Sequence, residues 1–136
     1  MDAMQRIHDE LAGYDVFYLA TVDGDKPVVR PIGMHEMYEG KEWFGVGTFK
    51  SVYRQLQANP HLQIVACKGP KWIRISGDAE FAEDPKVAEY CLDQNPELKK
   101  IYNEETGNKM GCFTLKNGHV ELVPMVMGAQ EEFDFK

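Results

Sequence analysis

Apolar positions at the start of the chain fall on a stripe. Met4, Ile7, His8 and Leu11 recur at helical spacing between charged residues, which predicts a helix over Asp2–Ala12, with Gly13 as its C-terminal stop. The period then changes. Tyr14–Val22 is rich in β-branched and aromatic residues and ends at Asp23-Gly24-Asp25, a hairpin signal, so Pro27–Tyr38 reads as the return strand. Pro31 within it marks an edge or a bulge, because proline has no N–H to give to a ladder. Glu39-Gly40-Lys41 turns the chain into a third strand, Glu42–Thr48.

Helical spacing returns over Lys50–Ala58 through Val52, Tyr53 and Leu56, and Asn59-Pro60 ends it. His61–Lys68 and Trp72–Ala82 are strands separated by Lys68-Gly69-Pro70-Lys71. Asp84-Pro85 opens a helix to about Gln94, with aspartate at the cap and proline in the first turn, and Pro96 starts a shorter one. After a polar loop, Asn103–Lys109, the segments Gly111–Lys116 and His119–Met125 are expected to form a last hairpin about Asn117-Gly118.

Antiparallel hairpins dominate this order, and the regular strand–helix alternation of a doubly wound sheet is missing. The expected fold is mostly β with flanking helices, a small barrel being the natural way for seven such strands to hide their edges. There is no internal repeat or linker, so residues 1–136 are expected to form one domain.

Composition narrows the function classes. A hydrophobic content of 43% supplies one core, and the apolar runs Val16–Ala20 and Ile64–Cys67 are too short to cross a bilayer. Charged residues interrupt the N-terminal segment, which therefore does not resemble a signal peptide. With three well-separated cysteines and no CxxC pair, the expectation is a cytoplasmic protein with reduced thiols. Cys67 and Cys112 are expected in the core and Cys91 toward solvent. A net charge of −7 argues against nucleic acid and anionic membrane as partners, though a local basic cluster suffices for a small anion.

The segment Trp43-Phe44-Gly45-Val46-Gly47-Thr48-Phe49-Lys50-Ser51 carries the most chemistry. A strand enters a tight turn and a helix begins there, so free N–H groups, the hydroxyls of Thr48 and Ser51 and the charge of Lys50 converge on one point. It is not a Walker loop, since Phe49 stands where glycine is needed before Lys-Ser. Nor is it a dinucleotide fingerprint, since Gly45-x-Gly47 lacks the third glycine. One reading is a seat for a single phosphate; the other is a plain Ser/Thr helix cap with a solvated lysine. Arg30, in the strand Val28-Val29-Arg30-Pro31-Ile32-Gly33, is either an edge charge or the second arm of a phosphate clamp. Alternation along Trp72–Asp78 sends Ile73 and Ile75 to one face and Trp72 and Arg74 to the other. That second face reads as an interface or as a surface aromatic–cation pair.

These three elements in this order resemble the FMN-binding split barrels of the pyridoxamine 5′-phosphate oxidase-like family, from Tyr18-Leu19-Ala20-Thr21-Val22 through Gly118. The resemblance implies an FMN-binding split β-barrel of antiparallel, Greek-key-like strands, and a homodimer with FMN in the groove between subunits. It implies that Arg30 and Lys50 hold the phosphate, with Thr48 and Ser51 hydrogen-bonding around it. Main chain near Pro31, Ile32 and Phe49 would line the flavin, and Gln55 would reach a polar edge of the ring or the ribityl chain. Trp72 and Arg74 would meet the cofactor, from the neighbouring subunit if not from the same one. The biosynthetic oxidase carries a C-terminal Arg-x-His element; here Pro124–Gln130 stands instead, so the likeness is to the small general-stress and nitroimidazole-reductase-like members. The implied activity is electron transfer between a reduced nicotinamide and a small molecule, with no catalytic side chain named. The alternatives are a non-catalytic flavin carrier or sensor, a barrel holding deazaflavin or haem, and an interaction module without ligand.

No metal site is expected. His8, His35, His61 and His119 are scattered along the chain, and no HExxH or CxxC is present. Met125-Val126-Met127 is expected in the core.

Overall fold

The computed structural model describes residues 2–124 and 130–136. Helix α1 (Ala3–Leu11) starts where Asp2 accepts the Met4 N–H. It is followed by β1 (Phe17–Asp23), β2 (Lys26–Ile32), β3 (His35–Tyr38) and β4 (Lys41–Gly47), then α2 (Ser51–Ala58), β5 (His61–Lys68) and β6 (Lys71–Phe81). Helix α3 (Pro85–Gln94), whose cap Asp84 accepts the Lys86 N–H at 2.9 Å, leads through a 3-10 turn, Pro96–Lys100, to β7 (Met110–Val123) and β8 (Glu131–Phe135). The expected return strand Pro27–Tyr38 is two strands, broken at Gly33-Met34. Among the described residues no helix is long and apolar enough to cross a membrane.

Among the described residues the strand pairings are all antiparallel, in the order β2-β1-β5-β6-β7-β4-β3, with β8 added to β7. This order has a geometric consequence. Strands β2 and β3 stand at opposite ends of the sheet, yet only Gly33 and Met34 join them. Two intervening residues span at most about 10 Å. The sheet must therefore curl until its two ends nearly meet, which leaves a barrel split along β2 and β3. The fold is the expected mostly-β split barrel.

The last hairpin is not formed. Met110–Val123 is one continuous strand, and both of its halves pair with β6. Register shifts between Ser76 and Asp78, where Gly77 faces the two residues Asn117 and Gly118, so the turn signal marks a β-bulge. Asn117 takes the positive φ of 55°. Gly118 serves packing: a Cβ there would lie 2.0 Å from the Phe135 ring of β8, a strand the tail was not expected to form. The other edge of β7 is shared, β4 pairing with Met110–Phe113 and β8 with Gly118–Leu122.

The barrel interior is filled by Leu19, Ile64, Ile73, Ile75 and Val120 with an aromatic line, Phe17–Phe44–Phe113, whose ring centroids are 5.8 and 5.5 Å apart. A second cluster lies under α3, where Trp43, Val87, Cys91, Met110 and Cys112 pack together. Two thiols reverse their expected places. Cys91 is fully buried against this second cluster, while Cys67 alternates with Val65 onto the outer face and is exposed. Cys112 is buried as expected, and its thiol pKa is driven far up by its hydrogen bond with Cys91 and by burial. The segment Met125-Val126-Met127 lies outside the described residues.

Candidate functional site

The split opens into a cleft of about 400 Å³, within the usual size of a small-molecule site. One wall is the edge strand β2 with Arg30, Pro31 and Ile32. The other is the bare backbone of Gly45-Val46-Gly47 on β4, followed by Lys50 at the start of α2. Met34 and Met110 lie over Gly45, where a Cβ would sit 2.5 Å and 2.4 Å from their ends, so only glycine lets them close on the strand. The excursion between β6 and β7 caps the cleft with Leu98 and Tyr102 and places Glu97 at its rim.

Arg30 is held by neutral acceptors. Its Nη1 donates to Thr21 Oγ1 at 2.7 Å and to the Leu19 carbonyl at 3.3 Å, and its Nη2 donates to Gln55 Oε1 at 2.7 Å. Thr21 Oγ1 also donates to Gln55 Oε1, at 2.6 Å. Both Thr21 and Gln55 are buried, so this network fixes the guanidinium without neutralising it. Burial lowers the Arg30 pKa from its ordinary value, a cost that an anion in the cleft would offset.

Lys50 is exposed and, among the described residues, has no carboxylate within ion-pair distance. It is the N-cap residue of α2, and no side chain bonds the first-turn amides. The Ser/Thr cap that offered a purely structural account of the Thr-x-Lys-Ser turn is not made. An uncapped helix start beside two cations is a surface suited to a small anion.

The other expected residues fall into three places. Thr48 and Ser51 flank Lys50 in the chain but do not line the cleft; Thr48 packs its methyl toward Gly111. Phe49 is exposed, lies over Gly47 and stands 6.3 Å from the Tyr102 ring. Gln55 is committed to Arg30 and Thr21.

Trp72 and Arg74 lie elsewhere on the sheet. Arg74 Nε donates to Glu121 Oε2 at 2.6 Å, and its guanidinium sits 5.3 Å from the Trp72 ring centroid. The register places Pro31, Tyr18, Val65 and Arg74 on one cross-strand row over four adjacent strands. At about 4.8 Å per step, Arg74 lies roughly 15 Å from Pro31 along the sheet. Within one chain the two ends of this row are not brought together.

Sequence reasoning missed Thr21, the third member of the Arg30 network, and the capping residues Leu98 and Tyr102. Thr21 was detectable as a polar residue on the inward phase of β1, between Leu19 and the turn. Nothing local marked Tyr102, because its place depends on how the excursion folds back.

Comparison with the curated proteins returns no match. Among solved structures, a NimC/NimA family protein from Clostridium acetobutylicum is 31% identical, with TM-score 0.87 over 97% of this chain and 92% of that one. General Stress Protein 26 from Bacillus anthracis has 14% identity and TM-score 0.71 over 99% of this chain and 100% of that one, a likeness of fold. A heme binding protein from Mycobacterium smegmatis shares the fold at 18% identity and TM-score 0.67, covering 90% of this chain and 54% of that one. The family model described as pyridoxamine 5′-phosphate oxidase matches residues 3–122, from the first helix to the end of β7, and the chain therefore belongs to that family.

Proposed function

We propose that the protein is an FMN-dependent oxidoreductase, with the cofactor phosphate held between Arg30 and Lys50. The observation that carries this is the pair itself: two cations at one cleft, one pinned by neutral acceptors and the other with no carboxylate in ion-pair reach among the described residues, in a chain of net charge −7. An arginine positioned in this way keeps its full charge for an incoming oxyanion. The backbone along Pro31 and Ile32 lines the cleft where a planar ring system would lie, while Thr48, Phe49 and Ser51 adjoin Lys50 in the chain without lining it.

When bound, FMN supplies the hydride and electron chemistry through its isoalloxazine. The chain's own part is to hold and shield. Arg30 and Lys50 anchor, Gln55 and Thr21 keep Arg30 in place, and Met34, Met110, Leu98 and Tyr102 exclude water from the cleft. None of these side chains is assigned as an acid or base. The donor we favour is a reduced nicotinamide and the acceptor a small molecule.

The outer face supports a homodimer that completes the site. Tyr18, Val29 and Val65 are exposed at 41%, 65% and 38% on the sheet surface, and Arg74 and Trp72 share the row of Tyr18 and Val65 or the one beside it. An apolar sheet face of this kind is suited to a second copy. Pairing across it would bring Trp72 and Arg74 toward the neighbouring cleft, which they do not reach within their own chain.

Flavin uptake tests the reading. Purified protein titrated with FMN should quench its fluorescence and melt at a higher temperature, and Arg30→Ala and Lys50→Ala should each weaken binding about 10- to 100-fold, as expected for lost charged hydrogen bonds. Protein that stays colourless with no FMN-induced thermal shift would end the proposal. Oxidation of NADH or NADPH by the loaded protein then separates an enzyme from a flavin carrier. A haem or deazaflavin spectrum of the protein as isolated would redirect it; the described cleft lining contains no histidine or cysteine to serve as an axial haem ligand.

A further inference from the structure

Apart from the cleft, the structure joins two histidines that the sequence separates. Glu42 lies on the inward face of β4 with Phe44 and Val46 and is fully buried. A carboxylate there needs positive or hydrogen-bonding partners. It has two. His8 on α1 places Nδ1 2.9 Å and 3.1 Å from the two carboxylate oxygens, and His35 on β3 places Nδ1 3.3 Å and 3.4 Å from them. The imidazole centroids are 4.7 Å apart, and the Phe17 ring meets His35 edge-on at 5.6 Å. The three ligand atoms all lie within 4.8 Å of one another.

We propose that His8, His35 and Glu42 bind a divalent transition-metal ion of the zinc class. Four ligands at the Zn–N and Zn–O lengths of about 2.0–2.2 Å stand about 3.4 Å from one another at the corners of a tetrahedron. The His–Glu spacings of 2.9 Å and 3.3 Å are already close to that edge. Two imidazoles and one carboxylate suit zinc and its neighbours and are poor ligands for Mg²⁺ or Ca²⁺. Without the ion each Nδ1 carries the proton it donates to Glu42. On binding, that proton leaves for solvent or the ring takes its Nε2–H tautomer, which frees the Nδ1 lone pair, while Glu42 supplies the negative charge and water fills the fourth position. The His8 and His35 side chains are 25% and 13% exposed, so an ion can enter from the α1 side while Glu42 remains sealed beneath. The ion would clip α1 to the β3–β4 hairpin, a structural role separate from the cleft.

The test titrates untagged, EDTA-treated full-length protein with ZnCl₂ by calorimetry and follows melting with and without zinc. The expected result is one saturable site per chain, a higher melting temperature with zinc, and at least a tenfold loss of affinity in both His8→Gln and His35→Gln, since even partners outside the coordination sphere cost that much. His8 is partly exposed, so its variant should fold even if a Glu42 variant does not. His119→Gln removes an exposed histidine beside Glu132 and Asp134 and should leave zinc affinity unchanged. No saturable uptake by the unaltered protein, an affinity in the His8 or His35 variant equal to that of the unaltered protein, or loss of uptake in His119→Gln would each overturn the proposal.

Discussion

Arg30 and Gln55 are joined by a 2.7 Å hydrogen bond, Nη2 to Oε1, that ties the edge strand β2 to the helix following β4. The bond holds a cation still while leaving it unneutralised. Gln55→Glu would change that single property, giving the guanidinium a carboxylate of nearly the same shape. The expected outcome is an unchanged or raised melting temperature with FMN affinity reduced tenfold or more, because the phosphate then competes with an internal ion pair. Fluorescence titration and a thermal melt of the same sample check both halves. Undiminished FMN affinity would show that Arg30 does not hold the phosphate.

Gly118 belongs to a bulge covered by an aromatic ring rather than to a hairpin turn. In Gly118→Ala the added methyl meets the Phe135 ring, so β8 must shift away from β7. A cost of about 1–3 kcal/mol is expected, as for overpacking elsewhere. Hydrogen exchange should localise the loss of protection to residues 131–135 while β6 keeps its own.

The same strand pair should respond to pH. His119 bonds Asp134 and Glu132, and these bonds, Asp134 first, raise its pKa above the ordinary 6.5. The folded strand pair thus holds the imidazolium more tightly than the unfolded chain does. Its contribution is complete below pH 6.5 and is lost as pH rises through the raised folded value. Exchange at residues 131–135, corrected for intrinsic rate, should be slower at about pH 6 than at about pH 9. His119→Gln should abolish the difference.

Tyr18 and Val65 are cross-strand partners on the exposed face, and both are apolar where a solvated sheet would carry polar residues. Val65→Glu and Tyr18→Glu should leave the barrel folded, since neither side chain enters the core, and should convert a dimer to a monomer in sedimentation. FMN affinity should fall as the dimer is lost if Trp72 and Arg74 of a second copy complete the cleft. An unaltered chain that is monomeric at all concentrations with flavin bound would contradict this assembly.

Much of the protein was legible in its local patterns. The shift from helical spacing to alternation located α1, β1, β4 and β6. Asp84-Pro85 located α3, and Gly45 to Ser51 located the turn that forms half the cleft. These features depend on residues within one or two turns of each other, where backbone sterics, capping and side-chain period act directly. Tertiary structure decided the rest. Whether Asn117-Gly118 made a hairpin or a bulge depended on which strand lay beside it, and β6 paired with both halves of β7. Cys67 and Cys91 exchanged their expected environments because burial follows the facing element, not the apolarity of the neighbours in sequence. Thr21 and Gln55, like His8 and Glu42, are 34 residues apart and meet only because α2 and α1 fold back on the barrel. Local chemistry specifies period and turn, while the partner of a buried polar group is chosen by register between distant segments, which no single stretch of chain contains.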